Sequence, residues 1–196
     1  MDLNTLKGRI GEAFVEKILH DAGYTVCRSG RESQVQRLFM TGEGEFLPDF
    51  FAWRPAGASS DDVPLHRLLS IEVKFRSHLQ GFLRPSEVEP LLVSAVHWPE
   101  LYFVLLTDSP AQGRSCFQLL DLRKADPDTP LAPIDLHEAQ VLGINKTITD
   151  PYEELVRQVF MPLREASQVR KPPAKLTSGS GRGSSPNRGV ARELPG

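Results

Sequence analysis

The sequence predicts one mixed α/β domain, and three observations predict it. An amphipathic helical stretch opens the chain, short β-rich segments follow it, and a second helical segment closes the part that can bury a core. The 196 residues, 40% of them hydrophobic, suit one compact core with appendages. No internal repeat is present, and no apolar run approaches the ~20 residues needed to span a bilayer.

The elements follow in order. Leu6, Ile10, Phe14 and Ile18 recur every fourth position, flanked by Ala13 and Val15, which predicts a helix from Asn4 to Ala22. Gly23 is placed to end it, and Tyr24–Cys27 reads as a short strand. Arg28–Glu45 is polar and Gly-punctuated, a loop or a hairpin containing Arg37–Thr41. Phe46–Trp53 reads as a strand broken by Pro48, Ala56–Pro64 as a turn region, and Leu68–Phe75 as the strongest strand. A helix is expected over Ser86–Val96, where Ser86 and Glu89 have capping-box spacing. Leu101–Leu106 reads as a fully buried strand and Ser115–Leu122 as another. Pro151–Arg164 reads as a closing helix frayed by Pro162.

From Ser167 onward Ser, Gly, Pro, Arg and Lys dominate, so residues 167–196 are expected to be a disordered basic tail behind a domain over 1–166. Net charge is −2, but it is unevenly spread. Residues 164–196 hold seven Lys/Arg against two Asp/Glu (+5), leaving −7 on residues 1–163. An acidic body runs against the basic footprint of most nucleic-acid binders. The tail is either a loose tether for nucleic acid or a solubilising end. Met1–Leu6 lacks the layout of a secretory signal. Cys27 and Cys116 make neither zinc spacing nor a disulfide framework. A reduced, cytoplasmic setting without membrane contact is expected.

The chemistry concentrates in Ile71-Glu72-Val73-Lys74, preceded by Pro48-Asp49. Strand alternation puts Glu72 and Lys74 on one face and Ile71, Val73 and Phe75 on the other. A carboxylate beside an ammonium makes sense if a third party shares them, such as an Mg²⁺ ion with oxygen ligands. If the strands pair, Asp49 and Glu72 converge on that cation, which phosphodiester hydrolysis needs for charge stabilisation and water activation. Lys74 would then serve the attacking water or the developing phosphorane oxygens. The plain alternative is an exposed strand pair worth only ~0.2–1 kcal/mol.

Pro48-Asp49 followed by Glu72-Val73-Lys74 resembles the PD-(D/E)XK nuclease superfamily. Leu6-Lys-Gly-Arg-Ile-Gly-Glu-Ala-Phe14 resembles the first helix of archaeal Holliday-junction resolvases and Mrr-like enzymes. The likeness spans roughly residues 5–125. It departs in the longer Gly30–Phe46 segment with its Gly42-Glu-Gly-Glu45. The resemblance implies a restriction-endonuclease-like core, a central mixed β-sheet flanked by helices. It also implies catalytic residues Glu12, Asp49, Glu72 and Lys74. Glu12, Asp49 and Glu72 would bind Mg²⁺, with Mn²⁺ as substitute, and Glu16 one turn later is a rival for Glu12.

Lys7, Arg9 and Arg76 are candidate contacts to nucleic acid, each weighed against an ordinary surface role. His78 reads as a surface histidine, with a general-base role as the lesser reading, and His97-Trp98 as a helix end packed on the sheet. The implied function is a metal-dependent DNA endonuclease acting on duplex or branched DNA, with RNA a remoter substrate. A resolvase would be expected to form a homodimer. The other reading is a non-catalytic subunit of a DNA-processing or mobile-element complex.

Overall fold

The computed structural model describes residues 3–29, 46–58, 64–79, 83, 92–93, 96–98, 100–124 and 131–169. The hairpin expected at Arg37–Thr41, most of the Ser86–Val96 segment and residues 170–196 lie outside the described residues. Leu92, Val93, Val96 and His97 are helical.

Helix α1 (Leu3–Asp21) ends where glycine permits it. Gly23 takes φ 83°, and the Gly23 and Tyr24 N–H groups close back on the His20 and Leu19 carbonyls at 2.9 Å. Strands β1 (Thr25–Arg28), β2 (Phe50–Ala58), β3 (Pro64–Phe75), β4 (Leu101–Leu106), β5 (Phe117–Leu120) and β6 (Ile134–Asp135) form one open six-stranded sheet in chain order. Helix α2 (Lys146–Val169) closes the described chain. Only β3 and β4 run parallel; the other four pairings are antiparallel. A parallel pair needs a crossover connection, and the segment between Phe75 and Leu101 provides it.

Alternation sorts the sheet into two faces. On the first, Ile71, Val73 and Phe75 join Tyr102, Val104 and Leu106 beneath Val15 and Ile18 of α1 and Val156 and Phe160 of α2. On the second, Leu101, Phe103, Leu105, Leu120 and Leu122 are covered by Leu79, Leu83, Leu92 and Trp98. Strand β4 is buried at all six positions because both faces are covered. Each such aromatic or leucine contributes on the order of 1.5–3 kcal/mol.

Several boundaries differ from expectation for physical reasons. Strand β2 starts after Pro48-Asp49, since Pro48 has no N–H to give a ladder. Strand β3 begins at Pro64, which shortens the expected turn. Helix α2 begins at Lys146 and runs through Pro151 and Pro162. Burial of Thr149, Val156 and Phe160 outweighs the two lost backbone bonds. In α1 the buried line is Lys7, Gly11, Val15, Ile18 and Leu19. Ile10 and Phe14 instead flank the core, with Phe14 against Tyr152 and Phe160 of α2 at 6.1 and 6.3 Å. Strand β6 was not foreseen; two residues carry too little pattern to read.

Candidate active site

Asp49 and Glu72 meet at the end of the β2–β3 ladder. The register pairs Phe50 with Ile71, so Asp49 lies opposite Glu72 one step beyond. There the ladder continues through side chains. The Asp49 N–H donates to Glu72 Oε2 at 3.2 Å, and the Val73 N–H donates to Asp49 Oδ2 at 2.7 Å. The Asp49 carbonyl accepts the Ser29 N–H at 3.0 Å, which ties the site to β1.

Glu72 is 5% exposed, and the Lys74 ammonium is bonded to its Oε1. Both side chains share the second face with their register partners Phe103 and Leu105. That face carries its own apolar cluster, so the pair sits partly within a core rather than beside one. Burial, then the Asp49 charge, pushes the Glu72 carboxyl up to about 7, against the pull of Lys74. Burial also raises Asp49, opposed by the Val73 N–H, Lys74, a hydrogen bond with Glu72, and Arg28.

Glu12 approaches from α1 and is half-buried. Burial raises its pKa first and the Asp49 charge second, while Arg28, Arg9 and Lys74 lower it. Glu12 and Glu72 therefore each lie within electrostatic reach of Asp49 and Lys74. They do not form a tight triad: Asp135, His137 and Glu138 are the one set of three ligating side chains within 4.8 Å of one another among the described residues. Asp135 Oδ1 is committed to Arg114 at 2.8 Å, while His137 Nδ1 is buried without a hydrogen-bond partner among the described residues.

Arg28 belongs to the site and was not foreseen. Its guanidinium donates to Glu16 Oε2, with Nε at 2.9 Å, and stands 3.9 Å from Glu12 Oε2. It lies over the Phe50 ring at 5.3 Å. Glu16, the rival for Glu12, is thus engaged with Arg28, which lowers its pKa. No sequence signal marks Arg28, because its partners come from two other elements, α1 and β2.

The candidate nucleic-acid contacts divide. Arg9 and Arg76 are exposed, and Arg76 donates to the Phe75 carbonyl at 2.8 Å. Lys7 is 2% exposed and bonded to Asp108 at 2.6 Å, with its ammonium 5.1 Å from the Phe75 ring centroid. That geometry puts Lys7 inside the fold, not on a phosphate-facing surface. Gly11 follows one turn later, where a Cβ would come within 2.8 Å of Leu106 Cδ2. Lys7 and Gly11 thus pack α1 against the sheet, and Glu12 follows Gly11 on the helix. His78 is exposed, and Trp98 packs on Phe51 at 5.5 Å.

Fold and site together define an open α/β sheet domain with a buried carboxyl pair at a strand junction, joined by a lysine and a helix glutamate. No protein-family model matches the chain, and no match was found among curated proteins. No helix among the described residues is long and apolar enough to cross a membrane.

Proposed function

We propose that the chain is a divalent-metal-dependent nuclease that hydrolyses DNA phosphodiesters, built on a restriction-endonuclease-like core. The observation that carries this reading is the pairing of Asp49 with Glu72. Glu72 lies on β3 and Asp49 immediately before β2; the Asp49 N–H donates to one Glu72 carboxyl oxygen, and Lys74 is bonded to the other. Two like charges kept together away from water are costly unless a cation is shared.

Oxygen-only donors suit a hard ion such as Mg²⁺, with Mn²⁺ as substitute. Asp49 and Glu72 would hold it, and Glu12 would support it. Such an ion supplies charge stabilisation at a scissile phosphate and acidifies water. Lys74 is suited to orient the attacking water or to donate to the phosphoryl oxygens as charge builds there.

The test uses plasmid, linear duplex, a four-way junction and an RNA duplex, each with Mg²⁺, Mn²⁺ or chelator. Asp49→Ala and Lys74→Ala run beside the wild type. Metal-dependent cutting should fall by ~10²–10³ or more in each variant. Equal cutting by all three proteins would mark a contaminant and remove the enzyme reading.

One observation favours a second reading. The −7 carried by residues 1–163 suits a protein partner better than a phosphate backbone. A wild type that binds the ion and cuts none of these substrates would favour a non-catalytic subunit of a DNA-processing complex.

A further inference from the structure

Away from the carboxylate site, Arg54 of β2 and Arg67 of β3 are direct cross-strand partners. Like charges directly opposite in an antiparallel pair destabilise it, so the arrangement asks for a compensating anion. Arg67 has one: it donates to Glu100 Oε2 at 3.0 and 2.6 Å and to the Tyr102 hydroxyl at 3.0 Å. Among the described residues none accepts a hydrogen bond from Arg54. Lys7 and Lys74, the other described lysine or arginine side chains that are not exposed, are each bonded to a carboxylate.

Arg54 is nonetheless held firmly. Its guanidinium lies 4.7 Å over the Tyr24 ring. Its other flank meets Gly143, where a Cβ would come within 2.6 Å of Arg54 Nη2. The Tyr24 hydroxyl is occupied, donating to the Leu142 carbonyl at 2.9 Å, and offers Arg54 no negative charge. Arg54, Arg67, Tyr24, Pro55, Leu69 and Val141 line an open cavity of about 520 Å³. Burial raises the Tyr24 hydroxyl pKa while Arg54 and then Arg67 pull it back, as two cations converging on one cavity would.

We infer that Arg54 and Arg67 form a binding site for a phosphate-class oxyanion. A stacked guanidinium presents its planar fork with little freedom left to lose, and that fork matches phosphate oxygens in bidentate fashion. Arg54 would offer its whole fork and Arg67 the Nη1 that Glu100 and Tyr102 leave, donors that suit a tetrahedral dianion, whose oxygens point in several directions, better than a planar carboxylate. The oxyanion is either a backbone phosphate of nucleic acid or a free phosphate monoester. The site does not depend on the metal reading.

Thermal unfolding and titration calorimetry with inorganic phosphate test it, with chloride at matched ionic strength as the control. Phosphate should raise the melting temperature of the wild type. Its affinity should fall roughly tenfold or more in Arg54→Gln and be partly kept in Arg54→Lys. Arg67→Gln, at an exposed position, gives the same readout if Arg54→Gln folds poorly. No phosphate effect in the wild type, or equal effects in wild type and both Gln variants, overturns the inference. A second arm measures a short DNA duplex in Ca²⁺. A parallel loss of duplex affinity assigns the site to backbone phosphate, and unchanged duplex affinity with lost phosphate binding assigns it to a free phosphate.

Discussion

Asp49 and Glu72 tie the start of β2 to β3 through their side chains: the Asp49 N–H rests on the Glu72 carboxyl, and the Asp49 carboxyl takes the N–H of Val73. A carboxyl that cradles a neighbouring strand is positioned before any ligand arrives. Burial raises both pKa values and the Asp49 charge raises Glu72 further, and this gives the site a measurable pH behaviour.

Glu72 should make stability depend on pH. Its folded-state pKa is raised from 4.5 to about 7, so the folded chain keeps a proton that the unfolded chain has lost. The contribution is fully present below 4.5 and is lost as pH rises through 7, on the order of 1–3 kcal/mol. Urea unfolding across this window should show the wild type weakening with pH and Glu72→Gln staying flatter. Parallel slopes for the two proteins would contradict it.

Metal binding should compete with that proton. Ligand carboxylates must be deprotonated, so Mg²⁺ or Mn²⁺ should raise the melting temperature clearly at about pH 8 and little at about pH 5.5. Asp49→Asn should abolish the shift at both. A shift that ignores pH and survives Asp49→Asn would place the ion elsewhere.

Lys7 should matter to folding rather than to nucleic acid. Lys7→Ala leaves Asp108 buried without its cation, in a place where Asp108 Oδ1 already lacks a partner. Breaking one half of a buried pair costs about 3–5 kcal/mol. Denaturant midpoints check this, and a loss below about 1 kcal/mol would return Lys7 to the surface role.

Gly11→Val should destabilise by about 1–3 kcal/mol, because Leu106 has no room to yield. Leu106→Ala in the same chain should recover part of that loss. If the double variant is weaker than the sum of the two single changes, the contact does not govern the packing of α1.

Much of the frame was legible because it rests on local periodicity. Strand β4 matches its expected bounds, α1 and β1 fall within a residue or two of theirs, and alternation alone placed Glu72 beside Lys74. The starts of β2 and α2 were harder: Pro48 keeps the β2 ladder from beginning at Phe46, whereas in α2 the proline penalties are offset by packing that no short window contains.

The sequence by itself determined which side chains share a strand face and so set Glu72 beside Lys74, while Asp49 followed only if two strands paired and Glu12 came mainly from the family resemblance. Only the tertiary structure decided that Asp49 lies opposite Glu72, that Lys7 turns inward to Asp108, and that Arg28 stands between Glu12 and Glu16. The physical reason is range. A residue's face follows from backbone geometry over a few neighbours, whereas its partner follows from strand register and helix docking across tens of residues.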